Sequence, residues 1–134
     1  MKIEDKTADK IGTGFETGED GKIVNIELEK GKSHIIVEII EYVPNAIVTK
    51  TIIKKSTGSI SICSVDSGEG MSENTTPFDN FIQIVEGKAD IVIDNKSTIL
   101  ESGQGIIVPA NSPHFIKPNG RFKMISTFIK SSYE

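Results

Sequence analysis

Apolar and polar positions alternate in short bursts along most of the chain, and these bursts predict its elements. After Lys22, Val24, Ile26 and Leu28 alternate with Ile23, Asn25 and Glu27, the period of a half-buried strand, before a turn at Gly31 and Lys32. His34 to Val43 predicts a second strand closed by Pro44 and Asn45, Ile47 to Ile53 a third ending at Lys54 and Lys55, and Ser59 to Val65 a fourth. Phe81 to Glu86 predicts a fifth, stopping at Gly87. Ala89 to Ile93 and Lys96 to Leu100 read as a hairpin around Asp94 and Asn95, residue types that tolerate left-handed backbone angles. Ile106 to Val108, His114 to Lys117 and Phe122 to Lys130 complete the set. A sustained 3.6-residue rhythm is absent, and so is any internal repeat. Nine or ten short strands with closely spaced turns describe an all-β sandwich or closed barrel, and closure hides edges that an isoleucine-rich chain would otherwise offer for aggregation.

Residues 1 to 21 have a different texture, polar and punctuated by Gly12, Gly14, Gly18 and Gly21, and read as a loose arm on a single domain spanning 1–134. Gly12-Thr13-Gly14 is not a dinucleotide loop, because the next glycine is Gly18 rather than at position 17 and no strand precedes it. At 134 residues the chain is sized for one core. Composition strengthens the strand reading: 23 Ile and 8 Val stand against 2 Leu, 4 Ala and 3 Met, and branching at Cβ suits a pleated sheet better than a helix.

Charge narrows the partners. A net charge of -4 carries no footprint for a phosphate backbone, so nucleic acid is not an expected partner. No apolar run is long enough to cross a membrane as a helix. The 15 cationic side chains include a single arginine, Arg121, which disfavours phosphorylated substrates because bidentate clamping of phosphate is mostly an arginine task. Cys63 is alone and the first residues lack the layout of a secretory signal, which together point to a reducing, cytoplasmic setting.

One stretch carries more specific wording. Gly68, Asn74, Thr76, Asn80 and Gly87 keep the spacing of the motif G-x5-H-x-H-x3,4-E-x6-G, and Gly103, Pro109, Asn111, His114 and Pro118 that of G-x5-P-x-G-x2-H-x3-N, with Asn119 one step late. Fifteen residues separate Gly87 from Gly103. On these residues the segment from Gly68 to Pro118 resembles the cupin superfamily, and the wording around Glu73 to Asp79, Val108 to His114 and Arg121 to Met124 resembles its small stand-alone cupin-2 proteins. The resemblance implies a double-stranded β-helix, a jelly-roll barrel, with a site inside it. It also implies a homodimer, formed through sheet edges or by the arm crossing to a partner.

The departures from the motif matter as much as the matches. Cupins of this pattern hold a first-row metal with imidazoles and a carboxylate, whereas here the corresponding positions are Asn74, Thr76 and Asn80, and only His114 keeps its identity. Neutral amide and hydroxyl oxygens compete poorly with water for a divalent ion, so neither a metal nor another cofactor is expected. A rival reading completes a loose metal site with Glu73 or Asp79, although Asp79 precedes Asn80 and on a regular strand faces the other way. With Asn80 inward, alternation brings Ile82 and Ile84 to the same face, and His114 brings Ile116. The expected site is an apolar chamber of Ile82, Ile84 and Ile116 with a polar floor of Asn74, Thr76, Asn80 and His114, taking a small, mostly uncharged organic ligand. His114 is also the candidate general base of a metal-independent isomerase- or epimerase-like alternative, and a dimer that only regulates a partner protein is a third. His34 and Glu38, four apart in a presumed strand, read as surface residues, and Lys50, Lys54 and Lys55 as a solvated edge.

Overall fold

Asp79–Ile93, fifteen residues without a break, forms the strand around which the rest is arranged. The computed structural model describes residues 15–17, 23–25 and 27–130, within which the strands are β1 (Phe15–Thr17), β2 (Ile23–Asn25), β3 (Ile47–Lys55), β4 (Gly58–Val65), β5 (Met71–Asn74), β6 (Asp79–Ile93), β7 (Lys96–Glu101), β8 (Gly105–Val108), β9 (His114–Ile116) and β10 (Phe122–Ile129). The first half of β6 pairs with β10 on one edge and β8 on the other, and its second half with β9 and β7. One layer therefore runs β3-β4-β10-β6-β8 and the other β5-β9-β6-β7, all antiparallel, with β6 common to both. This curled sheet is the expected jelly-roll architecture. β1 and β2 pair with each other as a separate ribbon. The remainder of the arm expected over 1–21, and Ile26 of the first predicted strand, lie outside the described residues.

Gly87 does not end a strand, as its sequence context suggests, but turns a corner inside one. Its φ is 80°, and a Cβ there would fall on the Arg121 carbonyl oxygen and 3.0 Å from Phe122 Cα. Beside it the register shifts: Glu86 faces Lys123 while Ile84 faces Met124, so Val85 is an extra residue that bends β6 from one layer to the other. The Asp94 and Asn95 hairpin is as expected, with φ of 50° and 67°.

Alternation sorts the first layer into two faces. Val65, Cys63, Phe122, Met124, Ile84 and Ile82 pack inward with Ala89, Ile91, Leu100 and Ile116 of the second layer and with Val108, forming the core. Val48, Ile62 and the half-buried Ile52, Ile125 and Val85 point the other way, under Ile39, Ile40, Val43 and Ala46. The predicted strand over His34–Val43 is this covering strap, in which only Ile36–Glu38 is regular, as a single 3-10 turn. Its backbone bonds are short-range, from Glu38 N–H to the Ile35 carbonyl and Ile39 N–H to that of Ile36. His34 is half-buried and donates from Nε2 to the Glu29 carbonyl at 3.1 Å, with no strand to align it with Glu38.

The strap is clasped by a polar cluster. Tyr42 donates to Glu86 Oε2 at 2.8 Å while the Arg121 guanidinium and Lys123 ammonium stand 4.3 and 5.0 Å from its ring centroid. Lys123, buried, donates to the Val37 carbonyl, and Ser64 to that of Glu41. Burial and the Glu86 carboxylate push the Tyr42 hydroxyl well above its ordinary range. Asp66 accepts from Asn45 N–H at 2.7 Å and from Arg121 at 3.1 Å; the backbone donors of Asn45 and Ser67, then Arg121, hold its carboxyl below the usual range.

Candidate functional site

The motif positions sit on β5, β6, β9 and the loop between β5 and β6. Asn74 and His114 are cross-strand partners on β5 and β9, and Ile93 faces His114 from the other side. Asn74 is exposed, and its Oδ1 accepts from Thr75 N–H at 2.9 Å. Thr76 donates to the Phe78 carbonyl at 3.0 Å, and its own carbonyl takes the Asn111 N–H at 2.6 Å, joining the 75–78 loop to the loop after β8. Asn111 holds φ at 66°, a conformation asparagine tolerates, which accounts for its standing where the motif has glycine. Asn80 is buried on the inner face of β6, where its Oδ1 accepts from Ser126 Oγ of β10 at 2.7 Å. Asp79 faces away from Asn80, as alternation requires, and accepts from Ala110 N–H.

His114 is half-buried, and its Nδ1 lies 3.0 Å from the Ser112 carbonyl. A carbonyl only accepts, so Nδ1 carries the proton in this contact and Nε2 keeps the lone pair of the neutral ring.

These donors do not fit the metal that the motif would carry. Asn74 and Asn80 offer neutral amide oxygens that each already accept a hydrogen bond, Thr76 a neutral hydroxyl and His114 one imidazole nitrogen, a set without the charge and further imidazoles that hold a first-row ion. Among the described residues no group of three or more His, Cys, Asp and Glu side chains is arranged to hold an ion.

Ile82, Ile84 and Ile116, expected to wall a chamber, are 2%, 1% and 4% exposed and are part of the packed core. Space opens instead at one end of the first layer, as a groove of about 390 Å³. Its lining follows the register: Thr51 faces Ser61 across β3 and β4, and Ser59 faces Phe128 across β4 and β10. Thr49, Thr51, Ser59 and Ser61 line the groove from β3 and β4, Phe128 from β10, and Thr75, Thr76, Pro77 and Phe78 from the loop above. Lys54 and Lys130 stand at its rim. Of the residues expected at the site, Thr76 alone lines this groove.

A bulge decides which β3 side chains face it. Thr51 pairs with Ser61 but Ile53 with Ile60, so Ile52 is extra, and beyond it Lys54 rather than Ile53 shares the inner face with Ser59. The outer edge of β3 is met there by residues 27 and 28: Leu28 N–H donates to the Ile52 carbonyl at 3.1 Å, and Glu27 Oε2 accepts from Lys54 N–H at 3.0 Å. That backbone bond, with Lys30 and Lys55 nearby, holds the Glu27 carboxyl below its usual range. The groove residues had a signal in the sequence: Thr49 and Thr51, and then Ser59 and Ser61, repeat a hydroxyl at every second position of two neighbouring strands.

A second groove, about 540 Å³, lies at the Gly87 corner between Lys88, Glu101, Ser102 and Arg121, with Arg121 already committed to Asp66.

No family model matches the chain, and no curated protein matches it. Solved structures do. A conserved protein of unknown function from Streptococcus pyogenes is similar over 80% of this chain and 94% of that chain, with a TM-score of 0.74 at 23% identity. A cupin superfamily protein from Desulfitobacterium hafniense matches over 78% of this chain and 96% of its own, with 0.73 at 27% identity. A cupin 2 conserved barrel domain protein from Leptotrichia buccalis matches over 70% of this chain and 46% of its own, with 0.68 at 28% identity.

Proposed function

We propose, from the premise that this chain has the cupin fold, that it is a binding protein holding a small organic molecule in the hydroxyl-lined groove, without a transition metal. The observation that carries this reading is the groove itself. Four hydroxyl side chains from β3 and β4, Thr76 from the loop and the rings of Phe78 and Phe128 line an open groove of about 390 Å³. Hydroxyls both donate and accept, so they orient the polar atoms of a small organic ligand. The folded chain gains stability from any ligand it binds, and a compound at a hundred times its dissociation constant adds about 2.7 kcal/mol. A thermal-shift screen of small organic compounds is therefore expected to give hits whose effect disappears in a Thr51→Val, Ser61→Ala double variant. Hits that survive that change place the ligand elsewhere, and a screen without hits removes the binding role.

A second reading has one observation in its favour. The Ser112 carbonyl sets the tautomer that leaves His114 Nε2 as a lone-pair base, the state a general base needs. In this reading the protein is a metal-independent isomerase- or epimerase-like enzyme, and His114→Ala abolishes turnover of a bound ligand while leaving binding in place. Loss of binding with no turnover in either form assigns His114 to the binding role. The protein is further proposed to be a cytoplasmic homodimer. The exposed Phe81 and Ile107, paired on the outer face of the first layer, support association, and the buried Cys63 thiol suits a reducing setting. Sedimentation showing a monomer at all concentrations removes the dimer.

A further inference from the structure

We propose that the groove selects a small organic monocarboxylate, whose charged end is read by Lys54 and Lys130 and whose apolar body lies against Phe78 and Phe128. This inference rests on the reading of the groove as a ligand site and adds the charge of its occupant.

Both lysines face inward for reasons built into the strands. Phe122, Met124, Ser126 and Phe128 occupy the inner face of β10 at every second position, and Lys130 continues that series just beyond the strand. Lys54 reaches the same face only because of the extra residue Ile52; unbroken alternation from Thr49 and Thr51 would put Ile53 there and turn Lys54 out. The backbone fixes both positions, since Lys130 N–H donates to the Thr57 carbonyl at 2.8 Å and Lys54 N–H to Glu27. A bulge that exchanges an isoleucine for a lysine in the wall of a cavity is a costly accident for a neutral ligand. It is useful for an anion.

Among the described residues the charged side chains lining the groove are both cationic, and no aspartate or glutamate lines it. Among the described residues neither ammonium has a carboxylate within ion-pair distance. Glu27, the carboxylate tied to this edge of β3, is turned to the Lys54 backbone and to Lys30 Nζ at 3.5 Å. The Lys130 ammonium stands 6.0 Å from the Phe78 ring centroid, so cation and aromatic surface are presented together. With Lys130 beside a ring and Lys54 lining the same groove, an anion bound there is favoured by both charges. Lysines are point charges without the planar fork that clamps phosphate, and Arg121, the chain's one arginine, is engaged by Asp66. A single carboxylate on an apolar body matches this charge and shape, with Thr and Ser hydroxyls left to bond its oxygens.

The test compares benzoate with its neutral isostere benzamide on the full chain, by calorimetric titration and by amide chemical-shift changes at Thr51, Ser61 and Phe128. Benzoate is expected to bind at least about tenfold more tightly than benzamide and to weaken as salt is raised. Lys54→Gln and Lys130→Gln should each remove most of that preference, leave benzamide unchanged and keep the melting temperature, while Lys54→Arg and Lys130→Arg retain it. Equal affinities for the two compounds, or a benzoate preference that survives both glutamine variants, overturns the carboxylate assignment while the groove still stands as a ligand site. Absence of shifts at the groove with benzoate, benzamide and every compound of the thermal screen overturns the site itself, and with it this inference.

Discussion

Asn80 shows how much of the chemistry turns on single atoms. The cupin motif places a carboxylate where this chain has an amide, and that amide is buried with its oxygen satisfied by Ser126. Ser126→Ala leaves the oxygen in the core without that donor, and chemical denaturation is expected to show a loss of about 1–3 kcal/mol. Ser126→Thr, which keeps a hydroxyl, should recover part of it. Asp66 is the matching case on the outer side. Its carboxyl is depressed by backbone N–H groups and Arg121, so its contribution is complete above the unfolded-state pKa of about 3.9 and is lost as pH falls through the lower folded value. Denaturation midpoints measured from pH 6 downward should fall more gently in Asp66→Asn, which begins from a less stable protein at neutral pH. An unchanged acid slope would show that Asp66 is not the group responsible.

At the scale of elements, what was legible in the sequence depended on whether an element's environment was local. β4, β7, β8 and β10 stand close to where alternation puts them, because each has one face in the core and the pattern records it. β5 left no trace: Met71, Ser72, Glu73 and Asn74 are held by pairing with β9 and not by burial of alternate side chains. The strap at 34–43 misled for the opposite reason. Its β-branched residues imitate a strand, yet Ile39, Ile40 and Val43 are spent covering the sheet while Ile35 stays 64% exposed. Ile40→Ala is expected to cost about 2–5 kcal/mol, the usual range for a buried isoleucine truncation, as read from urea unfolding. A near-neutral result would mean that the strap does not seal the sheet. Bulges were equally hidden, since Ile52 and Val85 are ordinary strand residues whose extra count appears only against a partner. Gly87, read from the sequence as a strand end, is a corner inside a strand without room for a Cβ. Gly87→Ala combines a strained φ with a collision at Arg121 and should destabilise by roughly 1–3 kcal/mol or prevent folding; full stability would contradict the corner geometry.

For the molecule as a whole, the isoleucine-rich alternation reads as an all-β sandwich or closed barrel, and the resemblance to the cupin motifs implies the jelly roll that the structure has. The site was less legible. Motif positions point to Asn74, Thr76, Asn80 and His114, whereas the proposed groove is lined from β3, β4, Phe128 of β10 and the 75–78 loop, of which only the loop lies within the motif. Placement of its hydroxyls and lysines depends on register across three strands and on one bulge, neither of which spacing along a single strand reveals. The barrel thus keeps the motif's spacing, while the amide oxygen of Asn80 accepts from Ser126, that of Asn74 from Thr75 N–H, and the Thr76 hydroxyl bonds within its own loop. Elemental analysis of the full-length protein, purified without chelator and without added metal, tests this most directly. Iron, manganese, nickel and zinc should each lie far below one atom per chain, and a near-stoichiometric content of any of them, lost in His114→Ala, would show that the neutral cradle binds metal after all.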